Sequence, residues 1–203
     1  MKATTLIFDL GGVILDIDYH RTRRAFEKLG VKDFNEMYSQ AGADDLFMSL
    51  EKGAIEEKNF YSEIRKRSGL PLTDKDIRDA WNAILLHFRE MSLQRLNELQ
   101  LKYKLFLLSN TNHIHLREFN RIYHLQPREK SFDQHFEKAY YSCKVGMRKP
   151  NANIYELVLR ENDLVPAQTV FIDDSAQNID TAKSLGIQAI LLKPGTFIED
   201  LGL

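Results

Sequence analysis

Short runs of apolar and β-branched residues recur along the chain, and the three clearest end at small polar or acidic residues. The three clearest runs are 4–8, 105–108 and 170–172, followed by 187–192 and a weaker run at 138–141. A strand that is buried on both faces of a parallel sheet has this uninterrupted apolar pattern. The runs therefore predict a sheet of parallel strands.

Apolar residues at helical spacing fill the segments between these runs. The predicted helices cover residues 92–101, 112–125, 151–162 and 175–185. Gly186 follows the last of them, at a position where glycine commonly ends a helix. Strands that alternate with helices in this way predict an α/β fold with a doubly wound parallel sheet.

Residues from about 16 to 88 carry helical patterns but no convincing strand. Their predicted helices are 21–29, 44–52, 56–68 and 74–88. We therefore expect an α/β core formed by residues 1–15 and 89–203, with residues 16–88 inserted as a helical cap. A plain helical layer on one sheet edge is the alternative. The position of the insertion, just after the first acidic loop, favours a lid over a site.

Composition narrows the possible classes of protein. The chain has 203 residues, of which 43% are hydrophobic and 28% charged, as expected for one globular unit with its own core. Its formal net charge of −1 argues against a dedicated binder of nucleic acid or of a membrane surface. No apolar run reaches the roughly 18 residues of a membrane-spanning helix. Because Cys143 is the only cysteine, we expect a reducing, cytoplasmic compartment.

Chemically reactive side chains follow the three clearest strands. Asp9 follows the first strand, Ser109 and Asn110 follow the second, and Asp173 and Asp174 follow the third. Because the carboxyl ends of parallel strands meet at one edge of a sheet, we expect these side chains to lie together. Three carboxylates in one crevice repel one another, so the arrangement requires a cation. Mg²⁺ binds a few carboxylate or carbonyl oxygens and suits such a site.

Lys149 adds a positive charge to this set. It precedes the predicted helix at 151–162, within the segment Gly146-Met147-Arg148-Lys149-Pro150, and its ammonium can enter the same crevice. A carboxylate nucleophile, a divalent cation, a lysine and a hydroxyl beside backbone N–H groups indicate phosphoryl transfer through an aspartyl-phosphate.

Four segments of the chain resemble, in order and in strand context, the four motifs of the haloacid dehalogenase superfamily. They are residues 8–14 (FDLGGVI), 108–112 (LSNTN), 146–150 (GMRKP) and 173–179 (DDSAQNI). Within the superfamily they look like bacterial hydrolases of the α-D-glucose-1-phosphate phosphatase type. The resemblance covers nearly the whole chain, and in the insertion it includes Phe47, Glu51, Gly53, Ile55 and Phe60.

The resemblance implies a catalytic role for four residues. Asp9 attacks phosphorus and becomes the aspartyl-phosphate. Ser109 and the backbone N–H of Asn110 hold the phosphoryl oxygens. Lys149 neutralises charge on Asp9 and on the phosphoryl group.

The resemblance also implies a Mg²⁺ site. Its expected ligands are Asp9, the carbonyl of Gly11 and Asp174, with Asp173 binding directly or through water. Asn178, one helical turn beyond Asp174, is expected to orient these ligands from a second layer.

The chain departs from the superfamily pattern at Gly11. Phosphatases of the superfamily usually have a second Asp there, which acts as general acid toward the leaving oxygen. Glycine keeps the carbonyl and loses an acid that is typically worth roughly 10²–10⁴-fold in rate. Candidate replacements are Asp16, Asp18 and His113, although each has a structural interpretation as a helix cap or surface residue.

The predicted function is Mg²⁺-dependent hydrolysis of a small phosphate monoester, with a sugar phosphate as one candidate and a small phosphorylated metabolite as the partner. A haloacid dehalogenase is one alternative, because a halide needs no proton and Gly11 supplies none. The acidic pair at 173–174 argues against it, since halide displacement needs no metal. A non-enzymatic phosphate-sensing or partner-binding protein is the other alternative, and only Gly11 favours it. The sequence leaves the substrate and the oligomeric state open.

Overall fold

A computed structural model describes residues 2–32, 34 and 46–203. The strands are β1 (Thr5–Phe8), β2 (Leu15–Ile17), β3 (Leu85–Phe88), β4 (Lys104–Ser109), β5 (Lys138–Tyr141), β6 (Thr169–Asp173) and β7 (Gln188–Leu191). The α-helices are α1 (Tyr19–Lys28), α2 (Leu46–Glu51), α3 (Glu57–Ser68), α4 (Asp74–Asn82), α5 (Glu90–Leu99), α6 (His113–Tyr123), α7 (Ser142–Val145), α8 (Ala152–Glu161) and α9 (Ala176–Ser184). Short 3₁₀ helices cover Phe132–His135, Pro166–Gln168 and Ile198–Leu201. In this part of the chain no helix is both long and apolar enough to span a membrane.

The main sheet has the strand order β5-β4-β1-β6-β7, and all its strands are parallel. β1 lies in the middle, where Phe8 is in register with Leu107 of β4 and Ile172 of β6. The carboxyl ends of these three strands therefore lie side by side. The predicted doubly wound α/β fold is confirmed, and its strands and helices begin and end within two residues of the expected positions.

Both faces of the main sheet are covered by apolar side chains. Leu6 and Phe8 of β1 belong to a cluster on one face, whereas Ile7 belongs to a cluster on the other face. Successive side chains of a strand point to opposite faces, so an uninterrupted apolar run is what a sheet covered on both sides requires. This burial fixes where the polar strand ends emerge.

The segment after β1 differs from the prediction. β2 pairs antiparallel with β3, with Leu15 opposite Phe88 and Ile17 opposite Leu85. The expectation that residues 16–88 hold no strand is therefore wrong, and the predicted helix 74–88 ends at Asn82. The spacing of the apolar residues after Asn82 fits either a helix or a strand. β3 becomes a strand because β2, far away along the chain, supplies its hydrogen-bonding partner.

The helices that follow β2 have a core of their own. Phe26, Phe47, Phe60, Ile64 and Trp81 are buried in one cluster that joins α1, α2, α3 and α4. The predicted helices 21–29 and 56–68 correspond to α1 and α3, and α2 corresponds to the end of the predicted helix 44–52, whose first two residues lie outside the described residues. The expected division of the chain after residues 15 and 88 falls in the β2–β3 ribbon, and we retain it as a proposal.

Arg89 connects this ribbon to the loop that follows β1. Its guanidinium donates hydrogen bonds to the Asp16 carboxylate at 2.7 Å and to the carbonyls of Gly12 and Val13 at 2.9 and 3.0 Å. The same guanidinium lies 5.0 Å from the centre of the Phe197 ring. One mostly buried side chain thus satisfies three acceptors on two segments of the chain.

We expect Arg89→Met to lower the free energy of unfolding by about 1–3 kcal/mol, because two carbonyls and a carboxylate lose their donor. Lys75→Met is the control, since Lys75 forms an exposed pair with Asp79 on α4 and its loss is worth under about 0.5 kcal/mol. Urea unfolding followed by circular dichroism measures both changes. Equal losses of unfolding free energy in the two variants would show that the hydrogen bonds of Arg89 do not stabilise the protein.

Candidate active site

Four charged side chains meet at the carboxyl ends of β1 and β6. One carboxylate oxygen from each of Asp9, Asp173 and Asp174 lies within 4.8 Å of the others. The Lys149 ammonium lies 2.8 Å from Oδ1 of Asp9 and 2.6 Å from Oδ2 of Asp173. The structure therefore brings together the three carboxylates and the lysine that the sequence singled out.

The sheet itself sets the position of Asp9. The Asp9 N–H donates to the carbonyl of Ile172 at 2.9 Å, so its backbone extends the pairing of β1 with β6 by one residue. All four residues of β1 are buried, which fixes the register of the strand. Asp9 therefore leaves the sheet directly beside the last residue of β6, Asp173.

Asp173 is fully buried, and protein donors occupy its carboxylate. Its Oδ1 accepts from the Ser175 N–H at 2.8 Å and from Nδ2 of Asn178 at 3.0 Å. Its Oδ2 accepts from Lys149 at 2.6 Å and from the same Asn178 nitrogen at 3.0 Å. Three donors thus hold this carboxylate and leave about one of its four acceptor positions for a further donor. Asn178 thus holds Asp173 from behind, and the exposed Asp174 is the acid of the pair with oxygens open to a ligand.

Burial and repulsion between carboxylates raise the pKa values of Asp9 and Asp174. Burial raises the pKa of Asp9 to about 7, Lys149 opposes the rise, and Asp173 and Asp174 add to it. Burial and then Asp173 raise the pKa of Asp174. Burial lowers the pKa of Lys149, but Asp9 and Asp173 outweigh burial and leave that pKa raised. A set of oxygen donors that repel one another fits a hard divalent cation such as Mg²⁺.

Glycine at position 12 makes room for Asp174. Gly12 has a φ of +74°, and a Cβ built there would lie 2.2 Å from Oδ2 of Asp174. Any other residue would therefore combine an unfavourable backbone conformation with a collision at the site. At Gly11 a Cβ would lie 3.1 Å from the terminal methyl of Ile17, so the side chain of β2 occupies the space next to that glycine.

Ser109 and Asn110 follow β4 at the same edge of the sheet. The Asn110 side chain donates to the carbonyl of Lys149 at 2.8 Å and accepts from the Lys149 N–H at 2.9 Å. Asn110 thus holds the backbone that carries Lys149, which the sequence did not predict. Ser109 is buried at the end of β4 and lines the same cavity as Asp9.

A cavity of about 380 Å³ opens over these residues and has a second wall formed by the helical segment. Arg23 of α1, Glu51 of α2 and Trp81 of α4 line it, together with Arg148 of the Lys149 loop. Glu51 and Arg148 belong to the parts of the sequence that carry the resemblance. Trp81 is both a core residue of the helical segment and a wall residue of the cavity.

His115 also lines the cavity, and no pattern in the sequence predicted it. Its ring stacks on Trp81 with centres 5.0 Å apart, and Nε2 donates to the Trp81 carbonyl at 3.1 Å. Nδ1 then accepts from the side-chain amide of Asn112 at 3.1 Å. Burial lowers the pKa of His115 to about 4, so the ring is neutral near pH 7. His115 therefore joins α6 to α4 as a hydrogen-bonding residue, not as an acid.

The three candidates for the missing general acid lie elsewhere. Asp16 pairs with Arg89 at 2.7 Å and with His87 at 3.1 Å. Asp18 caps α1 by accepting from the His20 N–H at 2.8 Å. His113, exposed at the start of α6, lies 3.9 Å from the Cys143 sulfur. Among the described residues that line the cavity, none of the three occurs, so the structure does not bring them to the site.

Comparison with known proteins identifies relatives of this chain. A D-ribitol-5-phosphate phosphatase of Bacteroides thetaiotaomicron is 30% identical over 186 residues, which are 90% of this chain and 88% of the relative. A sesquiterpene phosphatase of Aspergillus oryzae is 27% identical and covers 92% of this chain and 88% of its own length.

A solved structure has the same architecture. It is a HAD family enzyme from Bacteroides thetaiotaomicron in complex with magnesium and inorganic phosphate, with a TM-score of 0.92, 34% identity and coverage of 99% of this chain and 100% of its own. The family model of haloacid dehalogenase-like hydrolases matches residues 3–186. These matches confirm the resemblance and the enzyme class, and the chain belongs to the haloacid dehalogenase-like hydrolase family.

Proposed function

We propose that this hydrolase is a Mg²⁺-dependent phosphatase that cleaves a small phosphate monoester through an aspartyl-phosphate on Asp9. The observation that carries the proposal is the convergence of three carboxylates and the buried Lys149 at the floor of a cavity. A cavity of about 380 Å³ is in the range of small-molecule sites. The phosphatase names of two relatives, and the magnesium and phosphate bound by a structural neighbour, support it.

The proposed Mg²⁺ ligands are Asp9, the carbonyl of Gly11 and Asp174, with Asp173 acting through water. When bound, the cation supplies positive charge that offsets the anionic nucleophile and phosphoryl oxygens. Asn178 and the Ser175 N–H hold Asp173 in place for this role. With three carboxylates and one ammonium, the ionised site has a net charge of −2, which a divalent cation balances.

The reaction runs in two displacements on Asp9. One carboxylate oxygen of Asp9 attacks phosphorus, and the bond from phosphorus to the leaving oxygen breaks. Water then cleaves the acyl phosphate, which releases inorganic phosphate and restores Asp9. Lys149 balances charge on Asp9, while the Ser109 hydroxyl and the Asn110 N–H hold phosphoryl oxygens. Because Gly11 carries no acid, we propose that a water molecule protonates the leaving oxygen.

We propose that residues 16–88 act as a lid that selects the substrate, because Arg23, Glu51 and Trp81 form one wall of the cavity. A small phosphorylated metabolite is the proposed substrate, with a sugar phosphate as one candidate. The α-D-glucose-1-phosphate phosphatase resemblance and the D-ribitol-5-phosphate relative both point to phosphorylated carbohydrates. The single buried cysteine, Cys143, supports a cytoplasmic setting.

The carboxylate cluster also separates this proposal from the dehalogenase alternative. Displacement of a halide by Asp9 requires no cation, so Asp174 would only add repulsion to the site. In a Mg²⁺-dependent phosphatase the Asp174 carboxylate would instead bind the cation.

Asp9→Asn is expected to lower kcat by at least about 10⁴-fold, because an amide cannot form the acyl phosphate. Hydrolysis of p-nitrophenyl phosphate with and without MgCl₂ measures the loss, and circular dichroism verifies the fold. Asp79→Asn, on the exposed surface of α4, is the control and keeps wild-type turnover. Substantial turnover in Asp9→Asn would overturn the assigned nucleophile.

Gly12→Ala is expected to weaken Mg²⁺ binding by about tenfold or more, because the new methyl group collides with the Asp174 carboxylate. Gly69→Ala is the matched control, since Gly69 has a similar φ of +66° with nothing within 4 Å of the added Cβ. Both variants therefore carry the backbone penalty, and only Gly12→Ala carries the collision. Titration calorimetry with MgCl₂ compares them. Equal Mg²⁺ affinities would remove Asp174 from the metal site.

The pH profile is expected to depend on Mg²⁺ concentration. Asp9 attacks only when ionised, and burial raises its pKa to about 7, so without the cation its ionised fraction falls as the pH drops through 7. Protons and Mg²⁺ compete for these carboxylates, so saturating MgCl₂ should move the acidic limb of kcat/KM to lower pH by about one unit or more. Profiles at subsaturating and saturating MgCl₂, at constant ionic strength, measure this. If the acidic limb of kcat/KM lies at the same pH in both profiles, protons and Mg²⁺ do not compete for the same carboxylates.

A further inference from the structure

Three charged side chains of the cavity wall have no role in the proposed phosphoryl transfer. Arg23 lies on α1, Glu51 is the last residue of α2, and Arg148 directly precedes Lys149. All three line the cavity that contains Asp9. They come from two sides of it, because Arg23 and Glu51 belong to the helical segment and Arg148 to the α/β core.

Glu51 and Arg148 form an ion pair that uses only part of each side chain. Oε2 of Glu51 accepts from Nε of Arg148 at 2.8 Å, and the two side chains are 27% and 26% exposed. A guanidinium has five N–H donors and a carboxylate about four acceptor positions. Within the described part of the chain this pair is their one side-chain hydrogen bond, so donors and acceptors remain for a ligand in the cavity.

Arg23 supplies an independent sign of a ligand. Its Nε is buried and has no hydrogen-bond partner among the described residues. An oxygen of Glu27 lies 3.6 Å from this nitrogen and forms an ion pair without a hydrogen bond. A buried N–H group without an acceptor is costly, so the Arg23 side chain gains an acceptor if it turns toward a substrate oxygen in the cavity that it lines.

The chemistry of the three groups selects one class of leaving group. A hydroxyl group both donates and accepts, so several hydroxyls can donate to Glu51 and accept from the two arginines. A second anionic group would meet the Glu51 carboxylate, and an alkyl or terpenoid chain would cover the remaining donors and acceptors of the three groups without bonding to them.

We propose that Arg23, Glu51 and Arg148 bind the hydroxyl groups of the leaving group and make the enzyme selective for phosphate monoesters of polyhydroxylated compounds. This specificity rests on the proposed phosphatase activity. The class comprises sugar phosphates and sugar-alcohol phosphates. The three residues are specificity residues, distinct from those that contact the reacting phosphorus.

The test compares D-ribitol 5-phosphate with n-pentyl phosphate, which has the same number of carbon atoms and the same primary phosphate but no hydroxyl groups. We measure kcat/KM for both esters in the wild type and in Arg23→Met, Glu51→Gln and Arg148→Lys. The wild type should prefer the ribitol ester. In each variant kcat/KM for the ribitol ester should fall by about tenfold or more, whereas kcat/KM for the pentyl ester should stay within about threefold of the wild-type value.

Arg21→Met is the matched control, because Arg21 lies on α1 close to Arg23, is exposed and does not line the cavity. Its preference should equal that of the wild type. Thermal unfolding verifies the fold of every variant. Because the three substitutions lie on separate segments, the remaining variants still test the proposal if one variant fails to fold.

Two results would overturn the specificity assignment while the phosphatase stands. One is an equal loss on both esters, which would mean that these residues only hold the Lys149 loop in place. The other is a wild type without preference for the ribitol ester. A wild type that hydrolyses neither ester, nor p-nitrophenyl phosphate, in MgCl₂ would instead overturn the proposed function.

Discussion

The buried ammonium of Lys149 is the interaction on which the site depends. It is 1% exposed and lies between the carboxylates of Asp9 and Asp173. Removing charges from water costs several kcal/mol each unless they are paired, so the ammonium offsets part of the cost of placing two carboxylates at this edge. The ammonium balances one of the two negative charges, and Asp174 adds a third. The excess negative charge is what makes the site suited to a divalent cation.

The rest of the site is arranged to hold this lysine in place. Asn110 fixes the backbone of Lys149 through hydrogen bonds to its N–H and its carbonyl. Asn178 and the Ser175 N–H fix Asp173, the partner that the ammonium shares with Asp9. These residues come from the ends of β4 and β6 and from the start of α9. The parallel register of the sheet is therefore a direct condition for the geometry of the charges.

Local sequence patterns were sufficient to predict the strands of the main sheet and the polar residues at their carboxyl ends. Continuous apolar runs predicted β1, β4 and β6, and the residues after them met as expected because parallel strands align their carboxyl ends. The β2–β3 ribbon escaped prediction because its two strands gain order only by pairing with each other. Arg23 and His115 were missed for a similar reason. Which arginine of α1 faces the cavity depends on how the helical segment packs, and no local pattern encodes that packing.

The ribbon that escaped prediction also connects the cavity wall to the loop that follows Asp9. Arg89, directly after β3, donates to Asp16 in β2 and to the carbonyls of Gly12 and Val13 in the loop that follows Asp9. That loop needs glycine at position 12 because Asp174 lies against it. The hydrogen bonds of Arg89 therefore join the ribbon to the loop that lies between Asp9 and Asp174. One side chain thus connects the strands that lead into and out of the helical segment with the loop beside the carboxylates.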